Sequence, residues 1–239
     1  MAFPVVPVAA SVLVAGALDD AADRRIPVVE VARTRSSVHY DTGRADVPVI
    51  CVCLPSAVRL PNALVAAVLP IGPVALEHGA VVERRTRAAW RVRRWWAPPR
   101  PRGLSSPATV RMPGLAAAPH VRPAELVGAG PGLTPSGDDV VAGALVAAHA
   151  TADPRLGGWQ AATEQAVRRR GTSAVSRGLL RHAVDGWATP ELAEFVTAVC
   201  AGSVGDTADR LLGVGHSSGA ALAAGVLHVL TSTSLEGAA

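Results

Sequence analysis

Residues 128–145 read GAGPGLTPSGDDVVAGAL, a loop crowded with glycine and proline that opens at Ser136 into an almost wholly apolar run. Glycine permits backbone angles closed to other residues, and Ser or Asp at such an opening caps a helix. The stretch therefore predicts a loop-to-helix junction with a buried helix behind it. The same pattern returns at residues 218–227, SGAALAAGVL. Aligned with Ser136–Leu145 at an offset of 82, it shares the opening Ser-Gly, Val or Leu at the fifth place, Ala-Gly at the seventh and eighth, and Leu at the tenth. Small residues at matching places, Ala142-Gly143 and Ala224-Gly225, permit two helices to approach closely with both N-termini facing one cleft.

Around these junctions apolar residues recur at three- and four-residue spacing. The periodicity predicts helices over 138–150, 158–170, 172–184, 189–201, 204–213 and 218–231, separated by Gly, Pro or Asp breaks. Upstream the character changes to short β-branched runs interrupted by proline, and 26–33, 47–54, 71–76 and 80–93 read as strands, with 4–18 and 61–69 as short helices. Between the two regions lies 97–123, rich in proline and glycine and without a sustained period, which reads as a linker or a long functional loop. Strands followed by helices without regular alternation argue for an α+β fold. The expected organisation is a small antiparallel or barrel-like β unit over 1–96, the 97–123 segment, and a helical domain over 124–239.

Composition narrows the chemistry. All 23 basic side chains of the 239 residues are arginine, so no lysine exists to carry a Schiff base or to grip a nucleotide phosphate as in a P-loop. The abundance of Ala, Val, Gly and Arg reads first as a coding bias, and no arginine is functional on abundance alone. Cys51 and Cys53 stand two apart and Cys200 is distant, which matches neither a CxxC metal pair nor a disulfide framework and points to a reducing, cytoplasmic setting. Residues 3–18 are apolar, yet no basic residue precedes them and Asp19, Asp20 and Asp23 follow, so a secretory leader is not expected. Nor is a membrane partner, since no uninterrupted apolar run is long enough to span a bilayer.

The 128–139 junction is the densest chemical signal. Backbone N–H groups at a helix start, with Thr134 and Ser136 hydroxyls and the turns at Gly130, Gly132 and Gly137, suit a small anionic substrate. Asp138 and Asp139 would repel an anion, and three roles stay open for them: to cap the helix, to hold a divalent cation, or for one to accept from a substrate N–H2 group. At the second junction His216 is a candidate general acid or base, with Ser217, Ser218 and Gly219 beside it. Thr172, Ser173, Ser176 and Arg177 form a further helix start able to hold phosphate or carboxylate, or merely to cap. The HxH, HExxH and CxxC patterns are absent, which disfavours zinc sites, and GHSSG at 215–219 stands at no strand-to-helix elbow and has no clearly placed orienting acid, which disfavours a serine hydrolase.

GAGPGLTPSGDDVVAGAL resembles the signature of the AllH family, and TSAVSRGLLRHAVDG (172–186) and LLGVGHSSGAALAAG (211–225) resemble two further blocks of it; 27–54 fits more loosely. The resemblance implies a subunit of oxamate carbamoyltransferase that works with FdrA-like and YlbE-like partner subunits in purine and allantoin nitrogen catabolism. The implied reaction converts oxalurate and phosphate to oxamate and carbamoyl phosphate, or the reverse. Family members often carry an acidic residue after GHSSG where this chain has Ala220 and Ala221. Two other readings stand beside it. One is a non-catalytic scaffold docking partners through its basic N-terminal half. The other is a nucleic-acid-binding module built on 84–102, where eight arginines within 81–102 surround Trp90, Trp95 and Trp96. At period two, Thr86, Ala88, Trp90 and Val92 would line one face of a strand and Arg87, Arg91 and Arg93 a solvated one.

Overall fold

The computed structural model describes residues 4–107, 112 and 114–236, so part of the 97–123 stretch, 108–111 and 113, lies outside the described residues. The fold is α+β, strands first and helices after. The chain divides after Pro98 into two compact units.

The first unit is one nine-stranded sheet. In chain order its strands are β1 (Val5–Ser11), β2 (Ile26–Pro27), β3 (Val29–Arg33), β4 (Ser37–Asp41), β5 (Val49–Cys53), β6 (Ala63–Ala66), β7 (Val74–Glu77), β8 (Ala80–Glu83) and β9 (Ala89–Trp96). The spatial order is β2-β7-β8-β9-β1-β6-β5-β4-β3. The two edges, β2 and β3, are separated in sequence by Val28 alone, so the chain itself steps from one edge to the other and the sheet curls into a nearly closed barrel. Such curling hides edge N–H and C=O groups that would otherwise pair with other chains. The β1–β9 and β5–β6 pairings are parallel and the others antiparallel. Alternate residues fill the inside: Val8, Ala10, Val38, Tyr40, Ile50, Val52, Leu64, Leu76, Val81 and Trp90 form one buried cluster. Trp90 Nε1 donates to the Val68 carbonyl at 2.8 Å, which lets a polar ring tip enter an apolar interior.

Three expectations change here. Residues 5–11 and 63–66 are strands, with only 12–14 (3-10) and α1 (Ala15–Asp19) helical in the N-terminal stretch. Their alanines read as helical, but β1 lies between β9 and β6 at the middle of the sheet, where its valines pack and its backbone is bonded on both sides. The 80–93 run is two strands joined by a turn. Glu83 and Ala88 close it with a 2.9 Å backbone bond, Arg87 takes φ 60°, and the Thr86 hydroxyl bonds the Glu83 carboxylate, leaving Thr86 exposed. The period-two face holds for Ala88, Trp90 and Val92 and ends there, because β9 bulges: Val92 faces Val8 while the next partner, Ala9, faces Arg94.

The second unit holds α2 (Pro123–Leu126), α3 (Ser136–Thr151), α4 (Leu156–Arg170), α5 (Ala174–Val184), α6 (Pro190–Cys200), α7 (Thr207–Leu212) and α8 (Ser218–Glu236). Residues 99–107 and 114–118 pack within it: the Pro99 carbonyl accepts from Ala188, Leu104 donates to Ala150, and Ala118 bonds both Ala224 and His228. Helix α3 is buried nearly all round, with Val141, Ala144, Leu145, Ala147 and Ala148 in the core. Its main neighbour is α8, and the approach is reciprocal. A Cβ on Gly143 would overlap the carbonyl oxygen of Leu222, and one on Gly225 that of Val140. Each contact maps onto the other at the 82-residue offset, so the sequence repeat is a two-fold-like helix pair in space. Gly137 and Gly219 repeat the device six residues earlier, against the carbonyls of Leu126 and Leu211. Among the described residues no helix is long and apolar enough to cross a membrane.

Alanine at position 225 would add about 1 kcal/mol of helix propensity, whereas forcing a side chain into a closed backbone contact costs about 1–3 kcal/mol or more. The contact wins. We expect Gly225→Val to lower the unfolding free energy by about 3 kcal/mol in urea titration, and an unmoved midpoint would show that α3 and α8 do not meet there.

Candidate functional site

The 127–135 loop owes its shape to three glycines in the left-handed region, Gly128 (φ 77°), Gly130 (φ 113°) and Gly132 (φ 96°). Space adds a second constraint at two of them: a Cβ on Gly128 would stand 2.7 Å from the Gly171 carbonyl oxygen, and one on Gly130 2.9 Å from Ser136 Oγ. The loop delivers the chain to α3 without a side-chain cap. The residue preceding the helix is Pro135, and Ser136 is an exposed first-turn residue, which corrects the expectation of a Ser or Asp cap.

The two aspartates of the first turn have different surroundings. Asp138 is buried, and both its oxygens are used: Oδ1 accepts from the Gly128 N–H at 2.8 Å and Oδ2 from the Thr172 hydroxyl at 2.5 Å. It ties the loop and the start of α5 to α3. Ser173 adds a second stitch, since its hydroxyl caps α5 by accepting from Ser176 N–H at 3.0 Å and donates to the Leu133 carbonyl. Asp139 points elsewhere, as neighbours 100° apart on a helix must. It is 5% exposed, and its Oδ2 has no hydrogen-bond partner among the described residues. Burial pushes its carboxyl up to about 7, and the neighbouring Asp138 charge adds to that, while a hydrogen bond from Ser218 pulls the other way. Ser218, the first residue of α8, also shares a hydrogen bond with Thr134 at 3.0 Å.

The structure thus brings the starts of α3, α5 and α8 together around one loop, with a buried, half-satisfied carboxyl beside two hydroxyls. His216 and Ser217 lie in the exposed turn before α8, where Gly215 takes φ 62°. Arg177 is partly buried on the first turn of α5. The backbone donors expected to cradle an anion are largely spent internally. Gly128 N–H goes to Asp138, Gly137 N–H to Ala129, Asp138 and Asp139 N–H to Pro135, and Gly219 N–H to Val214. Gly137 and Gly219 serve helix contacts. A divalent cation would find one free carboxylate here, because Asp138 is already fully bonded; among the described residues no group of three or more His, Cys, Asp or Glu could hold a metal.

Of the Arg/Trp segment, Trp95 is exposed, Trp90 is buried, and Trp96 is partly buried under the Arg59 guanidinium at 5.4 Å. Arg87 pairs with Glu77 at 2.5 Å. Sequence reasoning placed Thr172 only among secondary candidates and did not separate the two aspartates. Only the surroundings of each could do so.

The C-terminal unit is therefore a helical domain in which three helix starts enclose a carboxyl of near-neutral pKa. Residues 126–230, from the end of α2 through most of α8, match the family model described as oxamate carbamoyltransferase subunit AllH. The match covers less than half of the chain and leaves the barrel outside it. No solved structure matches the chain.

Because Asp139 holds its proton more tightly folded than unfolded, its contribution is fully present below about pH 4 and is lost as pH rises to about 7, a span worth on the order of a few kcal/mol. We expect thermal melts of Asp139→Asn to show little of this decline and the variant to exceed the parent in stability above pH 7. Parallel pH curves would contradict the burial of this carboxyl. Asp138→Asn keeps one acceptor and loses the other, and should cost about 1–3 kcal/mol in chemical denaturation at every pH from 6 to 9.

Proposed function

We propose that this chain is a subunit of a carbamoyltransferase-type complex that interconverts oxalurate plus phosphate and oxamate plus carbamoyl phosphate, assembled with FdrA-like and YlbE-like partner subunits in purine and allantoin nitrogen catabolism. The observation that carries this reading is the unpartnered Asp139 oxygen beside Ser218 and Thr134, within the segment that matches the AllH family. A carbamoyl group offers an N–H2 donor and a carbonyl acceptor at fixed separation. Asp139 suits the first, and the Ser218 and Thr134 hydroxyls suit the second when they turn from the bonds they make to Asp139 and to each other. The two demands oppose each other, the more so in a buried site, because an acid that binds N–H2 repels the phosphate that must approach. A carboxyl poised near pH 7 eases that conflict, since it need not carry a full charge throughout.

In the forward direction the carbamoyl carbon gives up its bond to the oxalurate nitrogen and gains one to a phosphate oxygen. The proton of hydrogen phosphate passes to the nitrogen, which leaves as the amide of oxamate. No covalent enzyme intermediate is needed, and the site's part is to orient the carbamoyl group and to donate to its oxygen as negative charge develops there. Thr172, Asp138 and Ser173 are positioning residues: they hold the loop and α5 so that Thr134 meets Ser218. His216, exposed on the neighbouring turn, stands at the rim and is the candidate proton carrier to solvent. Arg177, on the first turn of α5, would attract the phosphate or carboxylate.

In a complex reconstituted from the three subunits, Asp139→Asn should lower kcat/KM for carbamoyl phosphate formation by about 100-fold, and Ser218→Ala by about tenfold, with melting temperatures at pH 7.5 no lower than the parent's for Asp139→Asn. Full turnover by both variants would make the chain a scaffold rather than a contributor to the site.

A further inference from the structure

The second unit carries another cleft, built from different residues. It has a volume of about 590 Å³ and lies between the Pro99-Arg100-Pro101 segment and helices α6 and α7, with Ala193, Thr197, Ala198, Ala201 and Thr207 on its walls. The segment is pinned from one side by the 3.0 Å bond from Ala188 N–H to the Pro99 carbonyl. Two arginines and one acid line the cleft, and they are not equivalent. Arg210 is neutralised by Glu194 at 2.6 Å. Arg100 lies over the Trp187 ring with its guanidinium carbon 5.2 Å from the ring centroid, and its buried Nε has no acceptor among the described residues. No carboxylate among the described residues comes within ion-pair distance of it.

A cation held by an aromatic face is oriented but not neutralised. The cleft therefore carries one uncompensated positive charge against walls that are mainly alanine and proline, at a volume typical of small-molecule sites. The hydroxyls of Thr197 and Thr207 already donate to the carbonyls of Ala193 and Val204, so they are left to accept.

We propose that this cleft binds a small monocarboxylate with an apolar body, the carboxylate resting on the Arg100 guanidinium and the body on the α6 wall. A monoanion matches the single free charge. The planar guanidinium fork matches a carboxylate, and a phosphate dianion would meet only one available cation, since Glu194 holds the other. This site does not depend on the carbamoyl reading of the 128–139 junction.

Benzoate titrated into the purified chain, followed by ligand-detected NMR, tests it, with benzamide and inorganic phosphate as comparison probes. Saturable binding of benzoate, with neither benzamide nor phosphate competing, is the expected result. Arg100→Gln should weaken that binding by about tenfold or more, while Asp139→Asn leaves it unchanged. If Arg100→Gln does not fold, Ala198→Phe, which fills the α6 wall, should abolish binding in a chain of normal circular dichroism. Failure of benzoate to saturate at about 20 mM, a level that would reveal even millimolar affinity, equal competition by benzamide or phosphate, or undiminished binding in a folded Arg100→Gln or Ala198→Phe chain would each overturn the proposal.

Discussion

The C-terminal unit depends on two places where backbone touches backbone: Gly143 against the Leu222 carbonyl and Gly225 against the Val140 carbonyl. At that separation no side chain fits between α3 and α8, and Cα–H groups can face carbonyl oxygens directly, a weak attraction that recurs where helices cross closely. The reciprocity matters more than the energy of either contact. With both helices locked at equivalent points, their N-terminal turns are held side by side, and Ser218 reaches Thr134 and Asp139 across the pair. A larger residue at either glycine would separate the helices and with them the two halves of the site.

The pair is symmetric in packing and asymmetric in chemistry. Both helices open with Ser-Gly and seat that glycine on a carbonyl of the element before them. Only α3 carries acids, with Ala220 and Ala221 at the matching positions of α8. A second pair of carboxylates facing the first would have raised the cost of burying either, since like charges in a poorly hydrated site oppose ionisation. Within α3 the division of labour is equally sharp. Asp138 spends both oxygens on the loop and α5, and Asp139 Oδ2 has no partner among the described residues. The buried histidines His39 and His182 are pushed by burial to about 4, so neither shares Asp139's place near neutrality.

Much of the fold could be read along the chain. The six helical periods each correspond to a helix, because an apolar stripe at 3.6 residues has few other ways to be buried. The alternation of valine with other residues marked several strands. Errors fell where tertiary neighbours outvote local preference. Residues 5–11 and 63–66 hold enough alanine and leucine to read as helix, but they fill the middle of a sheet whose remaining strands are useless without them. Arg93 is solvated as the period-two reading expects, but the bulge that follows Val92 went unread because a bulge has no compositional mark among arginines.

For the site, the residues themselves announced a loop-to-helix junction, its repeat 82 positions on, and the kinds of group available there. Their directions were a different matter. Asp138 and Asp139 are the same residue in adjacent places, and 100° of helical rotation sends one to Thr172 and Gly128 and the other toward Ser218. Whether a backbone N–H is free for a ligand depends on which carbonyl folds over it, and here Ala129, Pro135 and Val214 take most of them. By itself, the sequence determined that a strand region precedes a helical one, the glycine-lined turns and the matching helix pair, all of which follow from local sterics and periodic burial. The nearly closed sheet, the Asp139 oxygen left without a partner and the arginine held by a ring without a counterion among the described residues were decided only in three dimensions, because each depends on partners distant along the chain.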